Sequence, residues 1–311
     1  MKHLFIVNPV AGGRDRSSEV HKTVSEIFSR RSGEIEVYTT SAPMDAAEKI
    51  RRDAGECDEL RVYACGGDGT LNECVCGAYG LENVAVTSFP GGTGNDFVRL
   101  FGCEAPLFSN AERLVDGEVR KLDLMLCNGR PCLNICSVGI DARIGTDVHK
   151  YSSLPLCSGE LGYIASLVIN LAKGIKTPMR ISCEGQDISG QMSLVCICNG
   201  NHYGGGFNPV REARPDDGEL DILVVSGVSR LKFLALVGKY AKGRYGEFPR
   251  EIKHLRSRHI RIESGKSFVI NIDGEAETSD SLSVDLIPGG INFICPVNMD
   301  YFKNSQLKTG V

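Results

Sequence analysis

Two glycine-rich turns in this chain carry acids at points where the backbone favours anions. The first, GGDGTLNE at residues 66–73, follows the apolar run Val62–Cys65. The second, PGGTGND at residues 90–96, follows NVAVTSFP. Bare N–H groups at Gly66, Gly67 and Gly69 can cradle phosphate oxygens, and the start of a following helix adds partial positive charge. Asp68 and Asp96 would repel such a ligand unless a divalent cation lay between them. Mg²⁺ takes few protein ligands and keeps several waters, so it suits that place. Asp68 and Asp96, helped by Asp123, are therefore candidate Mg²⁺ residues. Taken alone, a glycine-rich strand-to-helix turn is also an ordinary α/β connection, and Asp96 also reads as a helix cap.

Two acidic motifs lie further on. In INIDGEAE, residues 270–277, Ile270 and Ile272 alternate with polar residues, which places Asp273, Gly274 and Glu275 at a strand end. If the strand continues, Asp273 and Glu275 point the same way, and one of them can accept the proton of an attacking hydroxyl. The residues do not say which, and the motif also reads as a hairpin turn. In RPDDGELD, residues 214–221, adjacent acids before a glycine make a tight turn whose carbonyls can join a carboxylate around one hard cation. A plain Asp-Gly turn is the alternative.

The elements that position these residues follow from periodicity. HLFIVNP, IEVYTT, ELRVYAC and NVAVTSFP read as strands, with helical patterns at 17–31, in MDAAEKIRRDA and after the first glycine turn. Such β-α alternation over residues 1–125 predicts a parallel sheet with helices on both faces, which binds ligands beyond the carboxyl ends of its strands. All four strands end in residues suited to phosphate. Residues 126–295 change to short strands separated by turns, with helical pattern only near 158–174 and 231–240. They predict a mostly antiparallel β-sandwich. The tail, 296–311, is a segment that could return to the first domain.

Bulk properties exclude several classes. The chain has 311 residues, 42% hydrophobic and 24% charged, with a net charge of −4, so nothing points to nucleic acid. Its thirteen cysteines fall largely in apolar or glycine-rich stretches, which predicts buried free thiols and a reducing cytoplasm. The uncharged stretch 188–210 is broken by glycines, asparagines and Pro209, so no transmembrane segment is expected. Residues 239–261 hold eight Lys or Arg against two Glu, with Tyr240, Tyr245 and Phe248 interleaved; this predicts a surface that docks on a membrane, with the aromatics inserted.

Seven motifs in order, NPVAGG, GGDGTLNE, PGGTGNDF, NICSVGIDA, NGNHYGGGFNPV, ARPDDGELD and INIDGEAE, resemble the diacylglycerol kinase and sphingosine kinase superfamily, most closely its soluble bacterial lipid kinases. Departures at Cys76 and Val98 lie away from the expected chemistry. The resemblance implies an NAD-kinase-like α/β domain and a β-sandwich. It implies an ATP- and Mg²⁺-dependent lipid kinase acting on a diacylglycerol-like lipid at the membrane surface, cytoplasmic and peripherally associated, with homodimerisation left open. It places Asn8, Pro9, Val10, Ala11, Gly12, Thr40, Gly66, Gly67, Asp68, Gly69, Thr70, Leu71, Asn72, Glu73 and Thr93 around ATP. Arg14 reads either as an added charge clamp or as a solvated loop arginine. It makes Asp217 a side-chain ligand of a second metal ion beside the carbonyls of Arg214 and Glu219, and INIDGEAE catalytic. A soluble-substrate kinase of the NAD kinase kind and a catalytically silent nucleotide-binding regulator are the alternatives.

Overall fold

The computed structural model describes residues 1–13, 15–91, 95–144, 170–171 and 173–303. Arg14, Thr93 and most of the helix expected near 158–174 lie outside them. One compact unit comprises Met1–Leu122 and the chain from Pro288 on, and a second comprises Asp123–Ile287. The chain thus re-enters the first unit ahead of the segment expected to do so.

In the first unit β1 (Lys2–Val7), β2 (Glu34–Thr39), β3 (Leu60–Cys65) and β4 (Val84–Ser88) pair in parallel in the order β4-β3-β1-β2. All six residues of β1 are buried, as a central strand covered on both faces requires, whereas β2 at the edge is exposed or half-buried. Helices α1 (Ser17–Phe28), α2 (Asp45–Ala54), α3 (Asp68–Ala78), α4 (Asp96–Arg99) and α5 (Ala111–Val115) follow in chain order. Their buried stripes, such as Val20, Val24 and Ile27 on α1, repeat with the helical period.

Buried ionisable groups make this unit sensitive to acid. Lys2 and Lys49 share the buried carboxylate of Asp53 and reach Glu36, at 2.7–2.9 Å. Burial alone would push the Asp53 carboxyl up, but hydrogen bonds from Lys49 and Lys2 outweigh it and hold the group below its ordinary range. His3, 2% exposed, shares a 2.8 Å hydrogen bond with Tyr63 and stacks edge-on against Phe28. Burial, reinforced by Arg61, pulls its pKa from 6.5 to about 4. A depressed folded pKa contributes stability above the unfolded value that is lost as pH falls, so His3 should cost roughly 2–3 kcal/mol between pH 6.5 and 4. In His3→Phe, chemical denaturation across that range should show a flatter stability profile, with the Asp53 loss remaining at lower pH. A profile as steep as wild type would show that His3 does not set this acid sensitivity.

The second unit is strand-rich and largely antiparallel. After β5 (Glu118–Cys127) come β6 (Arg130–Cys132), β7 (Ile135–Gly139), β8 (Thr177–Cys183), β9 (Gln186–Cys198), β10 (Leu220–Ser226), β11 (Ile252–Ser257), β12 (His259–Ile272) and β13 (Glu275–Cys295). The antiparallel order β11-β10-β9-β7-β12-β13 forms its main path, with β8 pairing β9 and β12. Successive residues of β9 alternate between two cores: Val195 and Ile197 join one, Leu194, Cys196 and Cys198 the other. Burial on both faces explains the uninterrupted apolar run SLVCIC. The described cysteines are all free and mostly buried, as the sequence implied.

Where short strands separated by turns were expected, LSVDLIP and INFICP belong to one long strand. Pro288, Gly289 and Gly290 read as a turn, yet β13 runs through them and changes partner there. Asp285 still pairs with His259 of β12, while Phe293 pairs in parallel with Val86 of β4. Helix α6 (Arg230–Tyr240) lies where its period predicted, capped by the Ser229 side chain on Lys232 N–H.

Candidate active site

Four loops meet at the carboxyl edge of the first unit's sheet. After β1, the Asn8 side chain accepts Val10 N–H at 3.1 Å, and Asn8 N–H donates to Cys65 of β3. Thr40, after β2, donates N–H to Val7 at 2.9 Å, and Gly91, after β4, donates to Gly66 at 3.0 Å. Backbone bonds thus tie Asn8, Thr40, Gly66 and the 90–91 turn together. Pro9 and Ala11 are half-buried and Val10 is 79% exposed, an open lip.

Gly66 is required by space. A Cβ there would lie 2.3 Å from Thr70 Oγ1 and 2.8 Å from Thr70 Cβ. None of Gly66, Gly67 and Gly69 has the positive φ that a glycine turn suggests, so close approach is the reason for Gly66. Gly67 caps α3 in an extended conformation, and the first helical bond runs from Leu71 N–H to the Gly67 carbonyl. The N–H groups of Asp68, Gly69 and Thr70 therefore stand outside the helical ladder, at the positive end of the dipole. Thr70, Leu71 and Asn72 are buried, Glu73 is half-buried and Gly69 is exposed. Leu71 serves the core with its side chain.

Asp68 links the first glycine loop to the second. Its carboxylate accepts Asp96 N–H at 2.9 Å and Phe97 N–H at 3.3 Å, holding the start of α4. Asp96, 7% exposed, pairs with Arg99 at 2.9 Å. The bond joins Asp68 to the backbone of Asp96, not to its carboxylate, and among the described residues no group of three or more His, Cys, Asp or Glu side chains could hold a metal ion. Carboxylates are nonetheless the oxygen donors Mg²⁺ takes, and it needs few of them because it keeps several waters. A cation missed in the sequence stands here too. Arg16 donates to the Pro90 carbonyl at 3.2 Å, pairs with Glu19 at 2.9 Å, and occupies the room left by the absent Cβ of Gly91. The basic turn GGRDRSS offered two arginines, and spacing alone did not separate Arg16 from Arg14.

In the second unit the INIDGEAE strand does not continue. Ile272 pairs with Glu275, leaving Asp273 and Gly274 as a two-residue hairpin loop with φ of +49° and +96°. Asp-Gly is the pair that such a turn selects. The chain reverses there, so the two acids do not stand side by side on one strand as the continued-strand reading required. The Asp273 carboxylate accepts N–H groups of Leu133 (2.7 Å), Asn134 (3.0 Å) and Ile135 (3.0 Å), and its own N–H donates to the Ile135 carbonyl. Glu275 opens β13 with an exposed carboxylate that has no partner among the described residues.

Asp123 belongs to the same unit. It accepts Gly218 N–H at 2.7 Å and donates its own N–H to Pro215, wrapping the RPDDGELD loop. Asp217 accepts Glu219 N–H at 3.1 Å and Arg256 at 2.5 Å. The same guanidinium reaches Glu219 at 2.8 Å, and Arg214 pairs with Asp216. Arg256 thus supplies, within this acidic loop, positive charge at the carboxylate expected to hold a second metal ion. Asn199 joins the two halves of this unit's site, donating to the carbonyls of Asp123 (2.8 Å) and Leu133 (2.6 Å).

Comparison with known proteins decides the family. Residues 2–127 match the diacylglycerol kinase catalytic domain, and residues 134–295 match the YegS C-terminal NAD kinase beta sandwich-like domain. The chain belongs to this diacylglycerol kinase family. A Staphylococcus epidermidis protein named "Putative lipid kinase" is 26% identical over 278 residues, 89% of this chain and 87% of its own. A structure from Bacillus anthracis titled "putative diacylglycerol kinase" superposes with a TM-score of 0.75 at 25% identity, covering 96% of this chain and 98% of that one. This diacylglycerol kinase family member is accordingly an enzyme, a kinase with an α/β amino-terminal domain and a β-sandwich-like second domain. Among the described residues no helix is long and apolar enough to cross a membrane.

Proposed function

We propose that this kinase transfers the γ-phosphoryl group of ATP to the hydroxyl of a diacylglycerol-like lipid in an Mg²⁺-dependent reaction. The observation that carries the reading is the bond from Asp68 to the start of α4, which holds two acids at the glycine turn where a polyphosphate would lie. N–H groups at the start of α3 receive phosphate oxygens, the loop from Asn8 to Gly12 and Thr40 line the nucleotide, and Arg16 adds positive charge. Asp68 and Asp96 would hold Mg²⁺, which when bound neutralises charge on the transferring group. The lipid hydroxyl oxygen forms the new bond to phosphorus, the bond to the ADP oxygen breaks, and Glu275 takes the hydroxyl proton. Asp273 positions the hairpin that carries Glu275. The enzyme works at the cytoplasmic membrane surface as a peripheral protein.

Labelled ATP, Mg²⁺ and either diacylglycerol in mixed micelles or NAD test this reading. Label in phosphatidic acid supports it, label in NADP installs the soluble-substrate alternative, and nucleotide binding without transfer installs the regulator. Arg16→Ala should raise the KM for ATP about tenfold with a smaller change in kcat, the size of one charge-assisted hydrogen bond. An unchanged KM would remove Arg16 from the site.

A further inference from the structure

We propose that the outer face of α6 docks this kinase on anionic lipid bilayers, an inference that rests on the lipid-acceptor reading above. The aromatics expected to insert do not serve: Tyr240 is 2% exposed, and Tyr245 and Phe248 pack against the core beneath α6. What stands out instead is apolar on the solvent side. Phe233, Leu236 and Tyr240 are buried, yet Leu231 is 81% exposed and Leu234 48%. The two leucines are three residues apart and share a face, which Ala235 and Gly238 continue towards Lys242. An ordinary surface helix is polar there. Among the described residues of the second unit, these two are the large hydrophobics left exposed.

Charge identifies the partner. From Arg230 to Glu251 the chain has six Lys or Arg against two Glu. Both acids are engaged: Glu251 by Lys232 at 2.9 Å, and Glu247 by Lys239 at 2.6 Å and Arg244 at 2.5 Å. The segment that carries the leucine pair is therefore net positive in sequence. Leucines at acyl depth with Lys and Arg at the phosphates is the arrangement of an interfacial helix.

The chain has no tryptophan, so Leu231→Trp supplies a single reporter. Its emission should shift to the blue with phosphatidylglycerol–phosphatidylcholine vesicles, less so at high salt and least with phosphatidylcholine alone. Leu231→Ser/Leu234→Ser and Arg230→Glu/Lys242→Glu should each lower co-sedimentation with the anionic vesicles by about tenfold or more. Both should phosphorylate water-soluble dibutyrylglycerol at the wild-type rate while losing activity on vesicle-borne diacylglycerol. Wild-type sedimentation of both variants, no sedimentation of the wild type, or an unshifted emission would overturn the proposal. Failure of every protein to phosphorylate dibutyrylglycerol would instead count against the lipid-acceptor reading, since that substrate needs no docking.

Discussion

Glu275→Gln is expected to slow phosphoryl transfer by about 10²–10⁴-fold while ATP binds almost as in wild type, the size of a lost general base. The amide keeps the shape of the side chain and removes its capacity to take a proton. Glu275 is exposed at the start of β13, so the substitution should leave thermal stability unchanged. Asp273→Asn should behave differently. Its carboxylate accepts three N–H donors from Leu133, Asn134 and Ile135, and an amide group would turn a donor towards them. That should cost about 1–3 kcal/mol of stability, with activity falling because the hairpin moves. Kinetics and chemical denaturation of the two variants separate the roles. If Asp273→Asn is fully stable and inactive while Glu275→Gln turns over normally, the roles are exchanged.

Gly66→Val should weaken ATP binding by about a hundredfold or more, worth roughly 3 kcal/mol. The new Cβ would meet Thr70 at 2.3–2.8 Å, forcing aside the first turn of α3, whose N–H groups receive the phosphates in the proposed reading. Gly67→Val, one residue on, places its bulk at the helix cap and should act in the same direction. Calorimetric titration of either folded variant with ATP checks this, and an affinity equal to wild type would sink the phosphate-loop reading.

Much of this site was legible because its signals are local. Apolar runs ending in glycines specify buried parallel strands and helix starts, so GGDGTLNE and PGGTGND marked the edge of the sheet, whereas the N–H of Gly66, expected to be bare, donates to the Ala64 carbonyl at 3.1 Å. Non-local partners were not legible. The bond from Asp68 to residues 96 and 97, the Arg256 guanidinium among Asp217 and Glu219, and the Arg16 contact with Pro90 join segments far apart in sequence, and no short-range pattern encodes them. INIDGEAE was ambiguous for a different reason. Alternating apolar residues fit a continuing strand and a hairpin arm equally, and only the left-handed conformation of Asp273 decides between them. The long β13 was hidden by Pro288-Gly289-Gly290, which usually punctuate a strand and here mark a change of partner. The aromatics of 239–261 misled because tyrosine and phenylalanine suit a core as well as an interface.

In the proposed reaction this enzyme phosphorylates a lipid alcohol with Glu275 as base. The most direct measurement is single-turnover transfer of label from ATP to diacylglycerol in mixed micelles, with Mg²⁺, for wild type and Glu275→Gln, and the product identified by phosphorus NMR. Wild type should form a phosphate monoester on the lipid, and Glu275→Gln should form it about 10²-fold or more slower. Label on NAD in place of the lipid, or equal rates for the two proteins, would contradict it.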